Sequence, residues 1–189
     1  MSKFENIFYA AEKGTVEDVR YFVESKGINA KEPNSNGWTP LHFAAKSNSN
    51  VDVLKYLVQQ YGDAVNAETT VDRALPLHHA ASLNPSVAVL EYLLALPEAD
   101  AYVNKPNGPG MTPLHCAALS NPNAKVLECL LQHGATVDLP DIGGKTALDF
   151  VAFSAFALAN RPPDLADMPM DFGDPEEKKR ILQKAMQRR

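Results

Sequence analysis

A seven-residue core recurs along this chain. TPLHFAA at Thr39 to Ala45 returns as LPLHHAA at Leu75 to Ala81 and as TPLHCAA at Thr112 to Ala118. A degenerate TALDFVA stands at Thr146 to Ala152, and ENIFYAA holds the same place at Glu5 to Ala11. The five copies are offset by 34, 36, 37 and 34 residues. A period of this length restricts the fold to an array of like units, because one short unit cannot bury its own apolar face and must stack on its neighbours.

Each core is followed by a second apolar block: VEDVRYFV, VDVLKYLV, VAVLEYLL and AKVLECLL after the first four. Apolar residues within a block fall at helical spacing, as in Val51, Leu54, Leu57 and Val58. Each unit therefore reads as helix, turn, helix. The links between its helices are SNSN, LNPS and SNPN, where asparagine tolerates a left-handed helix end and proline halts the first helix. Between units come NAKEPNSNG, NAETTVDR and NKPNGPG, compositions suited to exposed turns.

The pattern resembles the ankyrin repeat, whose T-P-L-H-x-A core is matched by three copies in register. The resemblance covers nearly the whole chain and implies an all-α ankyrin-repeat solenoid of helix-turn-helix units with projecting hairpin-like turns. Residues 1–189 form a single domain in this reading, with repeats at about 4–33, 34–69, 70–106, 107–140 and 141–189. The outer two serve as caps, and the last carries an inserted loop over 155–174. First helices are expected near Thr39 to Ser47, Pro76 to Leu83 and Pro113 to Ser120; second helices near Val51 to Gln60, Val87 to Ala95 and Ala124 to His133. Two departures stand out. The repeats exceed the usual length of about 33 through one extra residue in the inter-helix link, and Leu75 replaces the motif threonine, which puts the local turn hydrogen bonding in question.

A chain of 189 residues, 45% hydrophobic and 22% charged, is expected to fold and stay soluble. Its net charge of -5 opposes a phosphate-tracking partner, so no nucleic acid is expected. The longest apolar run, Ala147 to Ala159, is interrupted by Asp149 and is shorter than the roughly 20 residues of a spanning helix, so no membrane anchor follows. The N-terminus lacks a secretory apolar region, and a cytoplasmic chain, monomeric when free, is expected.

Tempting chemistry dissolves on inspection. Cys116 and Cys129 lie in no CxxC and take positions held by Phe43 and Tyr56 in an earlier unit, which reads as packing. His42, His78 and His115 occupy one repeating slot, which the resemblance assigns to tying neighbouring turns together. His78 and His79 are adjacent on a helix and cannot converge on a metal. GGKT at Gly143 to Thr146 lacks the first glycine of a phosphate loop, since position 139 is Leu139, and GPG at Gly108 to Gly110 fails the dinucleotide fingerprint at Pro113. No cofactor, metal or catalytic residue is expected. Asn66 and Asn104 fall where some animal ankyrin proteins are hydroxylated, but a turn role is the simpler reading.

Function then falls to the outward-facing variable positions. The resemblance places them on the hairpin tips and the exposed side of the first helices. They are Asn36, Trp38, Lys46 and Ser47; Arg73, Ala74, Ser82 and Leu83; Met111, Leu119 and Ser120; and Lys145. Trp38, Met111, Leu83 and Leu119 have the composition of an interface hot spot. The resulting expectation is a non-catalytic module that binds a protein partner through its concave face. Two alternatives stand beside it: an effector or toxin-related regulator acting on a host or partner enzyme, and a small-molecule binder, which needs an enclosed pocket.

The C-terminal end departs from the repeat. Arg161 to Asp174 is proline-rich and aperiodic. Asp174, Pro175, Glu176 and Glu177 then start a helix, with Ile181, Leu182, Ala185 and Met186 on one face and basic residues elsewhere. This helix is expected to close the stack; a membrane-surface or partner-binding role is the alternative.

Overall fold

The computed structural model describes residues 2–160 and 171–188. Among these residues ten α-helices run in pairs: α1 (Ile7–Lys13) with α2 (Val16–Arg20), α3 (Pro40–Ser47) with α4 (Val51–Gln60), and α5 (Pro76–Leu83) with α6 (Val87–Leu94). The remaining pairs are α7 (Pro113–Ser120) with α8 (Lys125–Gln132), and α9 (Ala147–Ala159) with α10 (Pro175–Gln187). The first helices of successive pairs pack side by side from α1 to α9, and α4, α6, α8 and α10 form the layer behind them. The expected pairing holds, and the observed bounds of α3 to α8 differ from the expected ones by no more than a residue at either end.

Local chemistry starts each first helix. In α3 the Thr39 N–H donates to His42 Nδ1 at 3.1 Å, and the threonine hydroxyl lies 2.9 Å from the same nitrogen. With Nδ1 accepting, the proton sits on Nε2, which donates to the Ala74 carbonyl of the next tip at 3.3 Å. His78 spans to the carbonyls of Lys105 and Met111, and His115 to that of Lys145. Proline at the first helical position of α3, α5 and α7 has no N–H to leave orphaned. Leu75 keeps the backbone half of this arrangement, its N–H donating to His78 Nδ1 at 3.1 Å. Its buried side chain replaces only the hydroxyl bond.

The link asparagines have a role other than the left-handed one expected of them. Asn48, Asn84 and Asn121 are extended, with φ of -83°, -88° and -75°. All three are buried and form a ladder through the stack. Asn48 Nδ2 donates to the Ala11 and Gly14 carbonyls, Asn84 Nδ2 to those of Ala45 and Asn48, and Asn121 Nδ2 to those of Ala81 and Asn84, all at 2.8–3.1 Å. Each asparagine thus satisfies carbonyls at the C-terminal end of the preceding first helix and its link, where no intrahelical donor reaches.

The fifth unit breaks the rule and repairs it with a lysine. Helix α9 continues to Ala159, so the loop expected from residue 155 begins only after the helix; its 161–170 portion lies outside the described residues. By motif register the link position of this unit falls on Ala155, inside α9, and Asn160, which follows the helix, donates back to the Phe156 carbonyl of the same helix. Instead Lys178 of α10, 0% exposed, donates from Nζ to the Ala118 carbonyl at 3.1 Å and the Ala117 carbonyl at 3.4 Å. Burial pushes its pKa down to about 8. Beside it Leu182 is fully buried, Ile181 and Ala185 are partly buried, and Met186 is 46% exposed. Helix α10 is therefore the second helix of the last repeat, packed on α8 and α9.

Candidate functional site

Four projecting tips and the helices behind them make one continuous face. Each tip closes with an N–H to carbonyl bond: Asn34 to Trp38, Thr69 to Ala74, Asn107 to Met111 and Asp141 to Lys145. Adjacent tips are also laced together, Thr70 N–H to the Asn36 carbonyl, Gly108 N–H to that of Asp72 and Ile142 N–H to that of Pro109. Gly37 has φ of 78°, and a Cβ there would lie 2.5 Å from Thr70 N. Close backbone approach and a left-handed φ together require glycine at that position.

The second of these tips is one residue longer, and this displaces an expected contact. Arg73, not a glycine, takes the left-handed conformation, with φ of 53°. Ala74 turns inward and is 1% exposed, with its carbonyl held by His42. It offers a partner no side chain, so the expectation for Ala74 is corrected. What projects instead is Arg73, paired with Glu68 at 3.0 Å, and Val71, 81% exposed. Glu68 also bridges to Lys105 at 2.8 Å, and these two hydrogen-bonded cations hold its pKa below the usual carboxylate range.

Trp38 anchors a cluster across two repeats. Its ring lies 4.1 Å from that of His79 and 5.2 Å from that of Phe43, and Lys46 Nζ stands 5.6 Å from its centroid. One part of the indole therefore covers a neighbouring helix and the rest stays accessible, a half-buried state. His79 is buried beneath it, and burial pushes its pKa down to about 4, so it is neutral near pH 7. Its Nε2 has no hydrogen-bond partner among the described residues. His78 and His79 diverge, one toward the next tip and the other toward Trp38. Among the described residues no three His, Cys, Asp or Glu side chains group to hold a metal ion.

The other expected residues fall along the same helices and tips. Asn36, Ser47 and Lys145 are exposed, Leu83 is 46% exposed, and Lys46, Ser82, Met111, Leu119 and Ser120 are partly buried. Sequence reading passed over Phe153, 61% exposed, which continues the column of Lys46, Ser82 and Leu119 into the fifth repeat. Carrying the register past the degenerate TALDFVA core would have found it. Phe43 and His79, the seat of Trp38, gave no sequence signal because their slot also holds Cys116.

Both thiols are packing groups. Burial raises the Cys116 pKa to about 12 and that of Cys129 to about 11, opposite to the depression a thiolate nucleophile needs. Asn104 uses both ends of its carboxamide between repeats, donating to the Gly134 carbonyl at 2.9 Å and accepting from Thr136 N–H at 2.7 Å. On the far side, a groove of ≈ 490 Å³ lies between α8 and α10, lined by apolar residues such as Leu131 and Ile181 with Glu128, Lys184 and Arg188. No helix among the described residues is long and apolar enough to cross a membrane.

Comparison with known proteins agrees with this geometry. The model of a family described as ankyrin repeats, in three copies, matches residues 7–105 and 77–159. The chain is also similar to alpha-latrocrustotoxin-Lt1a of Latrodectus tredecimguttatus, 44% identical over 62 residues. That stretch is 33% of this chain and 4% of the toxin. The likeness is one of repeats and does not extend to the rest of that protein.

Proposed function

Because this chain belongs to the ankyrin-repeat family, whose repeats are protein-interaction modules, we propose that it is a non-catalytic binding module with its partner seated along the concave face. The observation that carries the reading is the Trp38 cluster. A tryptophan stacked on His79 and flanked by Phe43 is held rigid, so it loses little side-chain freedom when a partner covers its open part. Such pre-organised aromatic anchors carry a disproportionate share of interface energy. Toward the C-terminal end the face becomes more apolar, through Met111, Leu119 and Phe153; toward the N-terminal end Lys46 and Arg73 supply charge. The proposed contact set is Asn36, Trp38, Lys46, Ser47, Arg73, Ser82, Leu83, Met111, Leu119, Ser120 and Lys145, with Phe43 and His79 as support.

A photo-crosslinking side chain placed singly at Leu83, at Leu119 and at Glu91 on the opposite layer tests this in the native cell extract. Adducts from Leu83 and Leu119 with one common protein, and none from Glu91, are the expected result. Adducts only from Glu91 would move recognition to the convex side.

A further inference from the structure

Among the described residues nothing covers the end of the stack at α9, and its composition complements the face at the opposite end. The second motif alanine of every earlier unit, Ala11, Ala45, Ala81 and Ala118, is 0% exposed, because the following unit lies over it. In α9 the equivalent Ala152 is exposed. So is Asp149, in the slot where His42, His78 and His115 are buried. Phe153 and Phe156, 61% and 65% exposed, complete one stripe at i, i+3, i+4 and i+7 along the helix. Ile142 on the adjoining tip is 78% exposed. Adjacent apolar side chains of this size on an open helix face mark an interaction surface.

The internal junctions indicate what fits there. At three of them the residue after the histidine slot is met by the ring in that slot of the preceding unit: Phe43 by Phe8 at 5.4 Å, His79 by His42 at 5.6 Å and Phe150 by His115 at 5.6 Å. Lys46, in the column of Phe153, stands 5.6 Å from the Trp38 ring, which packs on His79 of the following unit. At the other end of the array the residue in the receiving position is Tyr9, 50% exposed although its counterparts His79 and Cys116 are 9% and 8% exposed. Continuing the stack by one junction would place Tyr9 of a second copy against Asp149 and Phe153. The phenol O–H could then donate to the carboxylate while the two rings pack, a complementary polar and aromatic match.

We infer that this face binds the α1 end of a second copy, head to tail, so that one array continues into the next. The contact is heterologous and leaves a free head and a free tail on every assembly, so mass grows with concentration instead of stopping at a dimer. This replaces the sequence-based expectation of a monomer; the contact shares Phe153 with the edge of the concave face but needs no other protein.

Sedimentation of the purified chain alone, over a wide concentration series, tests the inference without involving any partner. The 20.6 kDa chain should show a weight-average mass that rises continuously. Tyr9→Glu, which blocks the head, and Phe153→Glu with Phe156→Glu, which blocks the tail, should each weaken association at least about tenfold, the loss expected for hot-spot residues. Both variants replace exposed residues, and circular dichroism would check that each is folded. Mixed together they should form a one-to-one heterodimer, because one retains a tail and the other a head. A chain that is monomeric throughout overturns the inference. So does self-association that Tyr9→Glu leaves unchanged, since that would be tail-to-tail pairing.

Discussion

At the residue scale the buried polar groups do the specifying. Asn84 satisfies two carbonyls of the preceding unit at 3.0 and 3.1 Å, and Asn84→Ala leaves both buried without that donor. The expected cost is roughly 2–4 kcal/mol, measured by urea unfolding; a loss below about 0.5 kcal/mol would mean the ladder is incidental. Arg73 gives the opposite sign. Holding a non-glycine residue in the left-handed region costs about 1–2 kcal/mol, whereas its exposed ion pair with Glu68 contributes up to about 1 kcal/mol. Arg73→Gly should therefore raise the unfolding midpoint slightly, by the equivalent of roughly 0.5–1 kcal/mol. None of this was legible in sequence. The asparagines looked like turn formers because their acceptors lie 34 to 40 residues away, and the inward turn of Ala74 follows from one inserted residue whose effect on tip geometry no periodicity reports.

At the element scale the helices were legible and the last one was read only in part. Motif register and the apolar period locate α3 to α8, because proline opens α3, α5 and α7 and an apolar stripe marks α4, α6 and α8. The C-terminal helix was recognised from Asp174 and Pro175, and its Asp174 side chain does accept the Glu176 N–H at 2.9 Å. Its key residue was not found. Lys178 was grouped with the solvated basic face, yet it stands in for an asparagine 60 residues from its acceptor. Leu182→Ala should cost about 2–5 kcal/mol as a core truncation, and because a solenoid unit contacts only its neighbours, the loss should be local. Hydrogen exchange is expected to show protection falling in α8, α9 and α10 while α3 to α6 keep theirs. Uniform loss across the array would contradict nearest-neighbour stacking.

For the whole molecule, buried histidines, two that lace the units and His79 beneath Trp38, make the array acid-sensitive. Burial lowers the pKa of His42, His78 and His79 to about 4, below the ordinary value of 6.5, so the folded chain binds fewer protons than the unfolded one between those limits. Their neutral form stabilises the fold fully above about pH 6.5, and that stability drains away as pH falls toward 4. Asp18, Glu68 and Asp149, held low by hydrogen bonds, add to the loss in more acidic solution. A urea midpoint that stays flat from pH 7 to about 4 would contradict this linkage. The proposed concave face could be drawn from the motif register, with the inward Ala74 as its exception, whereas the seat of Trp38 could not, because Phe43 and His79 come from two repeats. The most direct measurement of the central claim is the affinity of the partner recovered by crosslinking for wild type and for Trp38→Ala with Met111→Ala, both verified as folded. The account predicts a weakening of at least about a hundredfold, on the order of 3 kcal/mol for two anchor residues; equal affinities would place recognition elsewhere on the molecule.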